Sequence, residues 1–175
     1  MASLPRTKGR TRQVLAVLGT ATFLAVAPGT VAGYIPWRIS RWRLHPPFLG
    51  FAPFRAIGVA LIGAGVIVVV ESFGRFALEE IGTPAPLFPT QRLIVRGFYR
   101  YVKNPMYVAV VSIILGQALL LGDPHLITYA VFPWLAAHVF VLTYEEATLR
   151  RSFGADYETY CAHVRRWIPR FTPWH

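Results

Sequence analysis

The chain has 175 residues, of which 54% are hydrophobic and only 15% are charged, and its formal net charge is +10 at pH 7. Charged residues supply about a quarter of an ordinary soluble domain, so this composition indicates a protein that exposes apolar surface to lipid. It also excludes disorder, and the single cysteine, Cys161, excludes a disulfide framework and a cysteine-built metal site. Because the charges flank long apolar runs, they favour a membrane bilayer over nucleic acid as the partner, and we expect no metal.

Apolar runs at residues 14–35, 56–70, 105–121 and 126–144 predict about four transmembrane helices. A bilayer core of roughly 30 Å needs about 20 helical residues. The second run is shorter than that, and it reaches the required length if Arg55 and Arg75 extend their charged ends to the interfaces. We therefore predict an all-α fold, a polytopic membrane helical bundle.

The first run has a second interpretation as a secretory signal. Basic residues precede it, and it contains Ala25-Val26-Ala27, which is typical of a cleavage site. Pro28 would follow the cut, however, and the apolar character continues to Ile35. The sequence favours a retained helix.

The distribution of basic residues predicts the orientation in the membrane. With a cytoplasmic amino terminus, the cytoplasmic segments contain most of them: Arg6, Lys8, Arg10, Arg12, Arg75, Arg92, Arg96, Arg100, Lys103, Arg150, Arg151, Arg165, Arg166 and Arg170. The opposite side contains Arg38, Arg41, Arg43 and Arg55. We expect a multi-pass protein of the cell membrane with both termini in the cytoplasm, and a first loop, rich in arginine and tryptophan, that lies along headgroups.

The turn at Gly122–His125 is so short that the third and fourth helices must form an antiparallel hairpin. Its two far ends, at Asn104 and Glu145, then emerge on the same side. Asn104 and Pro105 are good residues for a helix start, whose free N–H groups attract anions. Aromatic rings suited to adenine or an organic cation lie nearby, at Tyr99, Tyr101 and Tyr107. An ordinary aromatic belt with phosphate-binding arginines is the alternative interpretation.

Glu145 and Glu146 follow the fourth run and can bind ribose hydroxyls or an ammonium group. Alternatively, Glu146 forms a surface pair with Arg150, four residues later. Beyond Gly154, the pattern predicts a short cytoplasmic amphipathic helix that ends before Pro169 and either covers the hairpin or adheres to headgroups. Its apolar face contains Tyr157, Tyr160, Cys161 and Val164.

Polar residues within the apolar runs predict helix–helix hydrogen bonds at Ser112, Gln117 and His138. Glu71 and Arg75 predict a boundary ion pair. Close helix packing is predicted at Gly58, Gly63 and Gly65.

In their order, these clusters resemble the integral-membrane methyltransferases that include isoprenylcysteine carboxyl methyltransferase and the phosphatidylethanolamine methyltransferases. The similar stretch runs from about residue 82 to residue 169. It contains residues 97–107, the hairpin, and then Glu145, Glu146, Leu149, Phe153, Gly154, Tyr157, Tyr160, Val164, Arg166 and Pro169. The resemblance implies one membrane domain, with an amino-terminal helical hairpin at 1–80 and a cofactor-binding core at 81–175.

The resemblance also implies S-adenosylmethionine as the cofactor, bound at the cytoplasmic end of the hairpin. Its expected contacts are Gln91, Arg92, Leu93, Ile94, Tyr99, Asn104, Pro105, Met106, Tyr107 and Glu145. Arg166 and Glu146 are the expected catalytic residues, with Arg166 orienting the acceptor. That acceptor is expected to be a lipidic or prenyl-bearing small molecule or protein, methylated on a carboxylate as in the isoprenylcysteine enzymes.

Three departures from the family pattern leave the acceptor open. Lys103-Asn104 stands where the family has Arg-His, and Arg165 stands where it has proline. Residues 140–143 lack the arginine with which prenylcysteine enzymes bind the substrate carboxylate. Phospholipid N-methylation is therefore an alternative, and the rivals from other classes are a non-catalytic membrane scaffold and a nicotinamide-dependent membrane reductase. The sequence does not indicate an oligomeric state.

Overall fold

The structure is a computed structural model that describes residues 22, 26–78, 93 and 95–174. Regular structure within these residues is helical, without β-strands: α1 (Ile35–Ser40), α2 (Pro53–Leu78), α3 (Pro105–Leu121), α4 (Pro124–Phe140) and α5 (Glu146–His163). A π-helix, Thr30–Tyr34, precedes α1, and a second, Val141–Glu145, joins α4 to α5. Short 3-10 turns occupy Phe48–Gly50 and Gly97–Arg100. The predicted all-α fold is confirmed.

Two helical stretches in the described part of the chain are long and apolar enough to cross a membrane, Pro53–Arg75 and Pro124–His163. The first extends the predicted run at both ends, as expected. The second has 40 residues, or about 60 Å of helix, so only its apolar first half, α4, fits within the bilayer core. α3 is a shorter apolar helix. Half of the predicted first span lies outside the described residues, and the orientation stays a prediction.

α2 packs antiparallel along α3, and glycines permit the close approach. A Cβ atom on Gly58 would lie 2.6 Å from the carbonyl oxygen of Gly116, and one on Gly65 would lie 2.6 Å from Cγ1 of Ile113. Small residues bring helix backbones together in this way. Gly63 has nothing within 4 Å of a built Cβ, so the predicted close packing is wrong at that position. The reason is that it lies on another face of the helix.

The predicted hairpin of α3 and α4 is confirmed, and Gly122 and Asp123 shape its turn. Gly122 adopts a left-handed conformation with φ of 69°, and a Cβ atom there would collide with the carbonyl oxygen of Pro46. Asp123 caps α4 by accepting a hydrogen bond of 2.9 Å from the backbone N–H of His125. The two far ends of the hairpin therefore lie at the same end of the bundle.

Gln117 and Ser112 make different hydrogen bonds although both were predicted to join helices. Gln117 Nε2 donates to the carbonyl oxygen of Ala32 at 2.7 Å, which confirms the bond between α3 and the first helical segment. Ser112 Oγ donates to Val108 of its own helix at 2.8 Å, so the prediction is wrong for Ser112. Its hydroxyl is satisfied by the carbonyl one turn earlier and needs no neighbouring helix.

The end of α2 supports the turn before α3. The predicted ion pair between Glu71 and Arg75 forms there. Gly97, with φ of 55°, lies so close to both side chains that a Cβ atom would collide with them. This contact fixes where the chain enters the segment that leads to Asn104.

α5 bends at the predicted glycine. Gly154 has φ of 49° and ψ of −122°, a non-helical conformation that kinks the helix. The predicted apolar face is confirmed, because Tyr157, Tyr160 and Val164 are buried together and Cys161 packs against them. The helix ends at His163, earlier than the predicted end before Pro169. Val164 is already extended, since the following residues pair with another segment.

We predict that Gly58→Ala lowers the free energy of unfolding by about 1–3 kcal/mol, because a methyl group cannot fit against the backbone of α3. Gly63→Ala is the matched control on the same helix, and it should be neutral or slightly stabilising. Reversible unfolding in mixed micelles, followed by circular dichroism, measures both. Equal losses in the two variants would contradict the close packing.

Candidate active site

Asn104 and Pro105 occupy the predicted start of α3. Both are buried, with Asn104 at the N-cap position and Pro105 as the first helical residue. The Asn104 side chain does not cap the helix, however. Its Nδ2 donates to the carbonyl oxygen of Arg166 at 3.2 Å. The N–H groups of the first turn of α3 therefore have no side-chain cap, which is the arrangement that an anion site at a helix start requires.

Tyr107 connects this helix start to the acidic pair. Its hydroxyl donates to Oε2 of Glu145 at 3.2 Å. Glu145 is the last residue of the π-helix Val141–Glu145, a widened turn that often accompanies functional sites. Burial raises the pKa of Tyr99 well above its ordinary value, and the negative charge of Glu145 raises that pKa further, so Tyr99 lies within electrostatic range of the same carboxylate. The structure thus brings together three predicted cofactor residues from separate segments.

Glu146 forms the centre of a buried ionic cluster. Its side chain is only 5% exposed, and it accepts hydrogen bonds from Arg166 Nε at 2.6 Å and Arg166 Nη2 at 3.0 Å. Lys103 Nζ donates to the same carboxylate at 3.1 Å. Arg150 Nη2 approaches the same carboxylate to 3.9 Å, so the alternative pair of Glu146 and Arg150 forms, although its carboxylate is buried and not at the surface. The hydrogen bonds to Glu146 raise the pKa of Arg166.

The tail after α5 runs back along the segment that precedes α3. Three backbone hydrogen bonds join the two: Lys103 N to Arg165 O at 2.9 Å, Arg170 N to Tyr101 O at 2.9 Å, and Trp174 N to Arg100 O at 3.0 Å. The hydroxyl of Tyr160 adds a bond of 2.7 Å to the carbonyl oxygen of Tyr99. These contacts hold the tail across the end of the hairpin.

Trp167 lies between α3 and α4 at this end. Its indole N–H donates to Nδ1 of His138 at 3.1 Å, and its ring meets the ring of Tyr107 edge-on. His138 also stacks on Trp134, with ring centroids 5.2 Å apart. The predicted helix–helix hydrogen bond of His138 is therefore wrong, because its partner Trp167 belongs to the tail and not to a neighbouring helix.

Two other predicted cofactor contacts pack against helices, and three lie outside the described residues. Met106 packs against the apolar residues of α2, in the cluster of Val69 and Phe73. Leu93 packs against the buried face of α5. Gln91, Arg92 and Ile94 lie outside the described residues.

Lys103 and Trp167 were not predicted to have roles at this site. In the sequence, Lys103 stands out only as a departure from the family pattern, because its partner Glu146 is 43 residues away. Trp167 follows the singled-out Arg166, but no local pattern predicts contact with a helix 29 residues earlier. Only the path of the tail brings both residues to the hairpin.

We predict that Glu146→Gln lowers the free energy of unfolding by about 3 kcal/mol, because the buried Lys103 and the partly buried Arg166 then lose the carboxylate that they share. Glu158→Gln is the matched control, since Glu158 is exposed on the same helix and pairs with Arg150 at 2.8 Å. An exposed pair of this kind contributes little to stability. Unfolding in mixed micelles compares the variants, and similar losses would show that the buried cluster has no special importance.

One comparison with known proteins found a family to which the chain is similar. The family model described as phospholipid methyltransferase matches residues 54–156, which is more than half of the chain and extends from α2 into α5. No curated protein and no solved structure matches. Methyltransferases of this family act on lipids in membranes and generally use S-adenosylmethionine. The chain therefore belongs to the phospholipid methyltransferase family.

Proposed function

We propose that this protein transfers the methyl group of S-adenosylmethionine to a lipidic acceptor at the end of the α3–α4 hairpin. The observation that carries the proposal is the hydrogen bond between Tyr107 and Glu145. This bond joins the uncapped start of α3, which can bind an anion, to the carboxylate of Glu145, which can bind a cation. A methionine-derived cofactor has both kinds of charge on one small molecule.

The residues present fit the parts of this cofactor. The first turn of α3 can bind its carboxylate through backbone N–H groups. Glu145 can accept from its amino group or its ribose, and the rings of Tyr99 and Tyr107 can pack on the sulfonium or the adenine. When bound, the cofactor supplies an electrophilic methyl group on sulfur. The protein contributes position and exclusion of water, and the tail that crosses the hairpin contributes to both.

The charges around Glu146 bear on the nature of the acceptor. A carboxylate acceptor, as in the isoprenylcysteine enzymes, needs a cation to orient it, and Arg166 was the expected one. Arg166 and Lys103 both donate to Glu146 instead. A nitrogen acceptor needs no such cation and is favoured by the neighbouring Glu145. We therefore propose a lipid amine as the acceptor, with Glu146 and Arg166 as positioning residues, and a carboxylate as the alternative.

We predict that Glu145→Gln weakens S-adenosylmethionine binding about tenfold, as expected when a charge-assisted hydrogen bond is lost. Tyr107→Phe should weaken it less, because only a neutral donor to Glu145 is removed. Tyr144→Phe is the matched control, since Tyr144 is exposed in the same π-helix. Calorimetric titration in detergent measures all three.

The intact protein sets the standard for that experiment. If it binds no S-adenosylmethionine while remaining folded and monodisperse, the proposal fails and a non-catalytic membrane protein is left. If Tyr144→Phe weakens binding as much as Glu145→Gln does, the cofactor lies elsewhere.

We predict that the transferred methyl group remains nonvolatile after treatment with mild base. A methylated amine is stable under these conditions, whereas a carboxyl methyl ester is hydrolysed and releases methanol. Incubation of the purified protein with membrane lipids and cofactor labelled in the methyl group, followed by base treatment of the extracted lipid, makes the distinction. Release of the label as volatile methanol would establish carboxyl methylation.

A further inference from the structure

A second polar cleft lies at the opposite end of the bundle, beside the turn of the hairpin. Its volume is about 430 Å³, and its polar walls come from Arg41, Arg43, His45, Asp123 and His125. α3 separates it from Asn104 by 17 residues, which is about 25 Å of helix. The cleft is therefore distinct from the candidate active site.

The charges that line the cleft favour an anion. Arg41 and Arg43 supply two guanidinium groups, and two histidines add further donors. Asp123 is the only acid among the lining residues. Its carboxylate is buried and already accepts from the backbone N–H and the ring of His125, at 2.9 and 3.0 Å. The positive charge of the cleft is thus not cancelled.

The backbone around the cleft is held in place by specific contacts. His45 N–H donates to the carbonyl oxygen of Leu121 at 2.8 Å, and Arg55 Nη2 donates to the carbonyl oxygen of His45 at 2.8 Å. The Nε atom of Arg55 is also buried, without a hydrogen-bond partner among the described residues.

Arg41 itself is held in an unusual conformation. Arg41 and Trp42 both have left-handed backbone geometry, with φ of 49° and 52°. Residues other than glycine rarely adopt it, and it persists where the surroundings enforce it, often at binding sites. The guanidinium of Arg41 lies 4.9 Å from the ring centroid of Trp37, which fixes its direction.

Apolar side chains surround the loops that form the cleft. Trp42, Leu44 and Phe51 are more than half exposed, and Leu49 is 96% exposed. Side chains of this kind beside arginines are typical of a membrane interface, where rings and alkyl groups enter the acyl region. We therefore expect an anion that enters the cleft past these apolar side chains to be a lipid headgroup attached to acyl chains.

We propose that this cleft binds the phosphodiester headgroup of an anionic phospholipid. Arg41 and Arg43 bind the phosphate oxygens, as the planar guanidinium is suited to do. The exposed apolar residues contact the acyl chains. The cleft volume lies within the roughly 300–1,000 Å³ that is typical of small-molecule sites, and it accommodates a headgroup larger than a single phosphate.

Native mass spectrometry of the intact protein in neutral detergent tests this proposal by resolving bound lipids one at a time. We expect phosphatidylglycerol to bind about tenfold more tightly than phosphatidylcholine with the same acyl chains, because its charge is not offset by an ammonium group. Arg41→Gln and Arg43→Gln should each weaken phosphatidylglycerol binding about fivefold or more, as expected for lost charge-assisted hydrogen bonds. Binding of phosphatidylcholine should weaken less, because its ammonium group already offsets the charge of the phosphate that the arginines contact.

Arg38→Gln is the matched control, because Arg38 belongs to the same helix end and loses the same charge but does not line the cleft. Equal weakening by Arg38→Gln and Arg43→Gln would overturn the proposal in favour of diffuse attraction. Equal affinity for the two lipids would overturn it as well. Displacement of phosphatidylglycerol by millimolar glycerol 3-phosphate would show a site for soluble phosphate instead. Since no arm measures methyl transfer, the result is independent of the proposed function.

Discussion

The buried carboxylate of Glu146 is the interaction on which the end of the bundle depends. A charge so removed from water is costly unless it is paired, and Glu146 is paired with Lys103 before α3 and Arg166 in the tail. One side chain thereby holds three segments together. Adjacent residues on a helix point in different directions, so Glu146 can serve the structure while Glu145 faces Tyr107. One member of the acidic pair thus holds the ionic cluster, and the other faces the proposed cofactor site.

The parts of this arrangement that were predictable from sequence depend on local rules. The short turn at Gly122 requires a hairpin, and an Asn-Pro pair begins a helix, so the juxtaposition of Asn104 and Glu145 follows from the residues between them. A local rule also predicts close packing at glycines, but it holds only for glycines on the helix face that meets α3. Gly58 and Gly65 are seven residues apart and share a helix face, whereas Gly63 does not. Helical periodicity alone would have excluded it.

The remaining features depend on the path of the tail, which has no local signature. Nothing near Asn104 indicates that its amide binds a backbone carbonyl of residue 166 and not its own helix. The hydrogen bond between His138 and Trp167 was unpredictable for the same reason. The early end of α5 at His163 is also a tertiary effect, because the residues that follow gain hydrogen bonds from the loop before α3. Helix propensity is overridden where a segment finds hydrogen-bond partners elsewhere in the chain.

The order in which the paired segments follow one another along the chain has a consequence for biosynthesis. The apolar helices are translated before Arg166, the residue that completes the cluster around Glu146. While Arg166 and Trp174 are still within the exit tunnel, the nascent chain has its acidic pair but not the tail that packs against it. The cluster around Glu146 can therefore form only after Arg166 has left the exit tunnel, and a chain that is terminated before this residue lacks the cluster.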